Sequence, residues 1–346
     1  MSDRTVDLRS DTTTRPTAAM FEAMARAAVG DDAFGEDPTV RRLQQKAAAM
    51  LGKEAALYVP SGTMGNHCAL LSHVGEGDAV FFEERAHLFG GTRRASWNLA
   101  GALPHPLQAE LGVPDPRQLE EAVNAARAKG QRPALVCIEN THNHSGGYAW
   151  APEEVEAVSA QSRELGMKVH MDGARLFNAA VAMGVEAEEY ARHADSVMFC
   201  LSKGLGAPVG SMLCGDAQLV EKARAVRSSL GGTMRQAGVV AAAGLVALEG
   251  MVERLAEDHR RARVLCAALQ GLDGWAVWQP PNPTNFVMLE SAAPGEPARG
   301  LCDELKARGV LGIARPPAKV RLVLHRHIDD DDVEFTAAVI REAAVP

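Results

Sequence analysis

No window of this chain approaches eighteen consecutive apolar residues, and its start, M-S-D-R-T-V-D, holds no apolar stretch of the kind that opens an export signal. Neither a membrane span nor a leader is expected, and a soluble, cytoplasmic protein is. Cysteine is sparse. Cys68, Cys137, Cys200, Cys214, Cys266 and Cys302 are scattered, with no Cys-x-x-Cys pair, and four lie in apolar runs, as buried reduced thiols do. Positive charge is also short: 36 Lys and Arg face 44 Asp and Glu, giving a net charge of −8 and a pI near 5.8. The electrostatic footprint of a nucleic-acid binder is therefore missing. Internal repeats and low-complexity tracts are absent as well.

What is present suits a globular α/β protein. The chain has 346 residues, 47% hydrophobic and 23% charged, enough for one large domain and a smaller one. Helical spacing of apolar residues runs over 16–28, with Thr17 as cap and Gly30 as stop, over 38–51, from 61–66 to Val74, and over 152–165. Short apolar strands are expected at 55–59, 79–82, 134–138, 167–171 and 196–201. Strands alternating with helices imply a parallel sheet covered on both faces. A charged, Ala-rich helix over 251–269 leads to a C-terminal unit with strands at 286–289 and 320–324, and the Pro-rich stretch 271–285 reads as a surface connection. The expected division is 1–250 and 251–346.

Two segments carry chemistry. V-H-M-D-G-A-R at 169–175 delivers Asp172 to a strand end, and C-L-S-K-G-L-G-A-P-V-G-S at 200–211 delivers Lys203 into a Gly-rich turn. Pyridoxal 5'-phosphate needs an amine for its Schiff base and an acid that keeps its pyridine nitrogen protonated, so this pair points to that cofactor. S-G-T-M-G-N at 61–66 lies between a strand and a helix, where Gly62, Thr63 and the first helical amides suit a phosphate.

D-L-R-S-D-T at 7–12, G-D-D-x-F-G-E-D-P-T-V at 30–40, S-G-T-M-G-N, E-N-T-H-N at 139–143, H-M-D-G-A-R-L-F-N-A at 170–179, S-K-G-L-G-A-P-V-G-S at 202–211 and G-G-T-M-R-Q-A-G at 231–238 resemble the threonine aldolase family, from about residue 7 to Arg321. The resemblance implies an aspartate-aminotransferase-like (fold type I) pyridoxal phosphate enzyme: a large domain with a mostly parallel central sheet and a smaller C-terminal α/β domain. It implies that Lys203 holds the cofactor, Asp172 pairs with the ring nitrogen, His87 stacks on the ring, and Gly62 and Thr63 hold the phosphate. Ser10, Arg175 and Arg321 would surround the substrate carboxylate, with Arg175 also reaching the ring hydroxyl. His142 would lie near the β-hydroxyl, and Arg235 would assist the cofactor phosphate of a neighbouring subunit. The implied reaction is cleavage of an L-β-hydroxy-α-amino acid such as L-threonine to glycine and an aldehyde, in a homotetramer with sites at a dimer interface.

Two positions depart from the family pattern: Thr92, followed by Arg93 and Arg94, stands where an acidic residue is common, and Leu324 where threonine is common. The proton acceptor is left open among His87, His142 and water. A β-eliminating lyase or aminotransferase keeps the cofactor and changes the bond broken; E-N-T-H and H-M-D-G-A-R speak against both. A silent binding protein would lack Lys203 or the carboxylate arginines. The run H-R-H-I-D-D-D-D at 325–332 tempts a metal reading, but aspartates opening a helix over 333–344 are explained by capping and the helix dipole, and no metal is expected.

Overall fold

A computed structural model describes residues 4–89, 95–315 and 317–344. At its centre, seven strands lie in the order Ala55–Val59, Ser211–Gly215, Ser196–Cys200, Lys168–Asp172, Arg132–Glu139, Asp78–Glu83 and Leu103–Leu107. Ser211–Gly215 runs against its two neighbours and the other six run one way. Ser196–Cys200 and Asp78–Glu83 are buried along their whole length, which is why they read as unbroken apolar runs.

The expected strands are present, extended or trimmed by a residue or two. Ser211–Gly215 was not anticipated, because it follows directly on the Gly-rich turn. Nor was Leu103–Leu107, whose Pro104 and Pro106 break the strand signature. Proline lacks an N–H, and this strand sits at the sheet edge, where fewer ladder donors are needed. The buried Ala-rich helix Gly238–Gly250 shows too little polar contrast to stand out.

A second, antiparallel sheet has the order Ile313–Arg315, Lys319–Val323, Phe286–Ser291, Trp275–Trp278. The stretch 271–285 is thus not only a surface connection: it contributes the edge strand Trp275–Trp278. The helix expected over 251–269 spans Leu255–Ala268.

The chain start crosses between the two units. Val6–Asp7 pairs in parallel with Val310–Leu311, Val323 N donates to Leu8 O at 2.8 Å, and Val6 and Leu8 join the apolar core of the second sheet. A boundary at residue 250 leaves this segment on the other side from the core it enters. Six residues on, Thr14 Oγ1 donates to the Lys203 carbonyl at 2.8 Å. The opening segment therefore straps the small sheet to the turn that bears the lysine.

Candidate active site

Three neighbouring parallel strands each end in a buried carboxylate: Glu83, Glu139 and Asp172. Burying such groups is tolerable only when they are well hydrogen-bonded. Their partners here are the loops that leave the strands. Glu83 accepts from Arg85 N at 2.7 Å; Glu139 accepts from His87 N at 2.5 Å and Asn143 N at 2.8 Å; Asp172 accepts from Ala174 N at 3.1 Å. The row of carboxylates thus fixes the loops that carry His87, Asn143 and Arg175. Between these loops and the small sheet lies a cavity of about 400 Å³. Ser10, Gly62, Thr63, His87, Asp172, Arg175, Lys203 and Arg321 all line it, drawn from six separate stretches of chain.

Ser61 caps the helix Gly62–His73, its hydroxyl accepting from Met64 N at 3.1 Å. The glycines there answer to close packing: a Cβ on Gly62 would stand 2.8 Å from Cys200 Sγ, and one on Gly65 2.7 Å from Met198 Cγ. The helix start can therefore press onto the strand Ser196–Cys200 and turn its first amides toward the cavity, a favourable place for an anion. Asp172 faces the same space, with His87 Nδ1 3.7 Å from its Oδ2.

The opposite wall is positive. Arg175 is buried and donates through Nε and Nη2 to the two oxygens of Asp11, each at 2.7 Å. Burial would raise the Asp11 carboxyl, but Arg175, helped by Lys203 and Arg321, overrides it and holds it at about 2. Arg321 donates to Asn143 Oδ1 at 2.9 Å and Arg9 O at 3.0 Å. Burial, then Arg175 and Arg315, push its pKa down to about 9, against the pull of Asp11. Arg175 and Arg321 share one buried aspartate, Asp11, an arrangement that suits a carboxylate ligand. Two buried polar atoms of the cavity lining, Arg321 Nε and Thr141 Oγ1, have no protein partner.

Two expected residues lie elsewhere. His142 is fully buried outside the cavity lining, with Nδ1 2.8 Å from Ser145 Oγ and Nε2 3.1 Å from Glu83 Oε2. His144, two residues on, lines the cavity instead, and burial foremost, with Arg315 adding, pushes its pKa down to about 4. Arg235 is exposed on the outer surface, 3.4 Å from Asp31. Thr92, Arg93 and Arg94 fall outside the described residues. Leu324 is buried in the core of the small unit, away from the cavity. In the aspartate run, Asp329 caps the helix Asp330–Ala343 by accepting from Asp332 N at 2.8 Å, and Asp330 pairs with Arg260 and Arg261.

Sequence reasoning also missed Arg315, Ile313, Glu139, Thr141 and Asn143 on the cavity wall. The structure places the first two: Ile313 lies opposite Arg321 in the sheet, and alternation puts Arg315 on the same face as Ile313.

Residues 7–293 match the family model described as Beta-eliminating lyase. The chain belongs to that family. Within it, the chain is 41% identical over 345 residues to low-specificity L-threonine aldolase 1 of Arabidopsis thaliana, covering 98% of this chain and 96% of the relative. The low specificity L-threonine aldolase of Escherichia coli strain K12 is 40% identical over 339 residues, with 96% and 97% covered. Among solved structures, the threonine aldolase of Leishmania major superposes with a TM-score of 0.83 at 19% identity, covering 98% of this chain and 99% of the other, and so attests the fold. The architecture is fold type I of the pyridoxal phosphate enzymes. The cavity fits that cofactor: it offers a lysine, a carboxylate, a glycine-spaced helix start and orphaned polar atoms awaiting a ligand.

Proposed function

We propose that this beta-eliminating lyase family member is an L-threonine aldolase-type lyase, cleaving L-threonine, L-allo-threonine or a related L-β-hydroxy-α-amino acid to glycine and an aldehyde, and running the reverse condensation. With L-threonine the aldehyde is acetaldehyde. The observation that carries the reading is that Lys203, Asp172, Arg175 and Arg321 line one cavity.

When bound, pyridoxal phosphate supplies a carbonyl that condenses with amines and a ring that takes up the electron pair of the broken Cα–Cβ bond. The chain supplies the rest. Lys203 Nζ would hold the cofactor. Asp172 keeps a proton on the ring nitrogen by charge pairing. Gly62, Thr63 and the helix start behind them take the phosphate. Arg321, Arg175 and Ser10 would bind the substrate carboxylate, and the planar forks would fix rotation about Cα. Two imidazoles of the cavity wall, His87 and His144, can accept the β-hydroxyl proton. His142, engaged by Ser145 and Glu83, holds the loop from which Asn143 and His144 reach in.

We read the assembly as a dimer of dimers. Phe21, Val29, Phe34 and Val239 are exposed apolar residues on the stretches that hold Arg235, and Asp32 N donates to Arg235 O at 2.9 Å. A second copy on this face would bury them and bring Arg235 to the partner's phosphate site.

The test is product analysis of the holoenzyme with L-threonine, L-allo-threonine, β-phenylserine and the D-isomers. Equimolar glycine and aldehyde from the L-compounds are expected. The family's name favours one rival, β-elimination; ammonia and a keto acid as products would establish it and overturn the aldolase reading.

A further inference from the structure

Asp172 has partners deeper in the protein that the scheme above leaves unused. Its Oδ2 accepts from Asn66 Nδ2 at 2.8 Å. Asn66 Oδ1 lies 3.0 Å from His170 Nε2, and His170 Nδ1 lies 2.8 Å from Ser196 Oγ. Ser196 Oγ in turn lies 2.7 Å from His73 Nε2. Asn66, His170 and Ser196 are all buried. Three elements create this line. Asn66 and His73 are seven residues apart on the helix Gly62–His73, hence on one face. His170 and Asp172 are alternate residues of one strand, and Ser196 pairs with His170 on the next.

The polarity of every bond follows from one end. A carboxylate only accepts, so the Asn66 amide nitrogen must face Asp172. Its oxygen then faces His170, which requires the proton on Nε2 and a lone pair on Nδ1. That lone pair takes the Ser196 hydroxyl proton, and the Ser196 oxygen takes the proton of His73 Nε2. The opposite tautomer, with a proton on His170 Nδ1 directed to the Ser196 backbone, would set the Asn66 oxygen against the carboxylate.

We infer that Asn66, His170, Ser196 and His73 are positioning residues that form a one-directional hydrogen-bond chain, orienting the Asp172 carboxylate toward the cofactor's ring nitrogen. The inference rests on the pyridoxal phosphate reading of the cavity. Every donor in the chain points toward Asp172, and aligned hydrogen bonds polarise one another in a low-dielectric interior. His170 must stay neutral for this, since its Nδ1 accepts, and burial sees to it. It pushes His170 down to about 3, with His73 adding, and His73 down to about 4.

Two measurements test the chain. In histidine-labelled holoenzyme, imidazole ¹⁵N resonances should show His170 neutral with its proton on Nε2; a proton on Nδ1, or on both nitrogens, overturns the inference without any variant having to fold. Next, ¹⁵N-labelled cofactor is bound to the wild type, Asn66→Ala, His170→Leu and His170→Gln. In the wild type the ring nitrogen should carry a proton. Asn66→Ala should move its resonance toward the unprotonated position and weaken cofactor retention about tenfold, the effect of one charge-assisted hydrogen bond. His170→Leu should act in the same sense but less, and His170→Gln, which returns an N–H near the place of Nε2, should recover most of the loss. An unmoved resonance and unchanged retention in Asn66→Ala, beside a protonated wild-type ring, sinks the chain and leaves the cofactor reading standing. A wild-type ring nitrogen without a proton, or no bound cofactor, sinks that reading itself.

Discussion

Replacing Asp11 by asparagine removes one charge and almost no volume. Asp11 and Arg175 are both buried and joined by two 2.7 Å hydrogen bonds. On folding, the Asp11 carboxyl falls from 3.8 to about 2, a linkage of about 2–3 kcal/mol at neutral pH. Because the folded value is the lower one, this contribution is complete above about pH 5 and is lost as pH falls toward about 2. Removing one partner of a buried pair also strands the other, at a cost of about 3–5 kcal/mol. Denaturant unfolding of Asp11→Asn holoenzyme should therefore show a loss of about 3 kcal/mol at neutral pH, narrowing as the pH is lowered from about 5 to about 3. Acetate should restore more stability to the variant than to the wild type, since Arg175 and Arg321 then face the cavity with their counter-charge gone. A variant that unfolds within about 1 kcal/mol of the wild type across that pH range would refute the reasoning.

Lys203→Ala should lose both turnover and the visible absorbance of the bound cofactor; retention of both in the purified variant would remove Lys203 from the site. Arg321→Lys exchanges a fork for a point charge and should raise KM about tenfold to a hundredfold with a smaller change in kcat, read from initial rates with L-threonine. His144→Ala should lower kcat about a hundredfold or more with cofactor absorbance unchanged, if His144 is the proton acceptor. With its pKa pushed down to about 4 by burial, the wild-type kcat should hold through pH 6 and fall only as the acceptor gains a proton below about pH 5. Gly112→Ala places a Cβ 2.3 Å from His142 Cγ at a φ of +89°; a loss of about 1–3 kcal/mol is expected in thermal unfolding.

Asp172 and Lys203 could be read from sequence because the first ends a short apolar strand and the second lies in the Gly-rich turn that directly follows another, so one local pattern sets both the element and the placing of the functional residue. The loop 139–146 was harder. His142 and His144 are near neighbours of the same type. Which one enters the cavity is decided by Glu83, 59 residues earlier, which holds the His142 ring. Arg175 was legible as a cavity arginine. That two of its nitrogens already face Asp11, 164 residues away, was not, because the pair is made by the strap and not by either segment alone. Arg315 stayed hidden in a three-residue strand beside two prolines, too short for alternation to register.

The strap also orders events in the life of the chain. Val6 finds its strand partner at Val310, Leu8 at Val323, and Thr14 at Lys203. Residues 6–8 are thus placed by partners at 310 and 323, made about three hundred residues after them. Asp11 travels with that segment, so Arg175 lacks its counter-charge until the strap's partners have been made. A truncated product, even one containing the whole large sheet, would hold Lys203 and Asp172 without the wall that orients a substrate. Orienting a substrate then depends on segments about three hundred residues apart, and neither provides it alone.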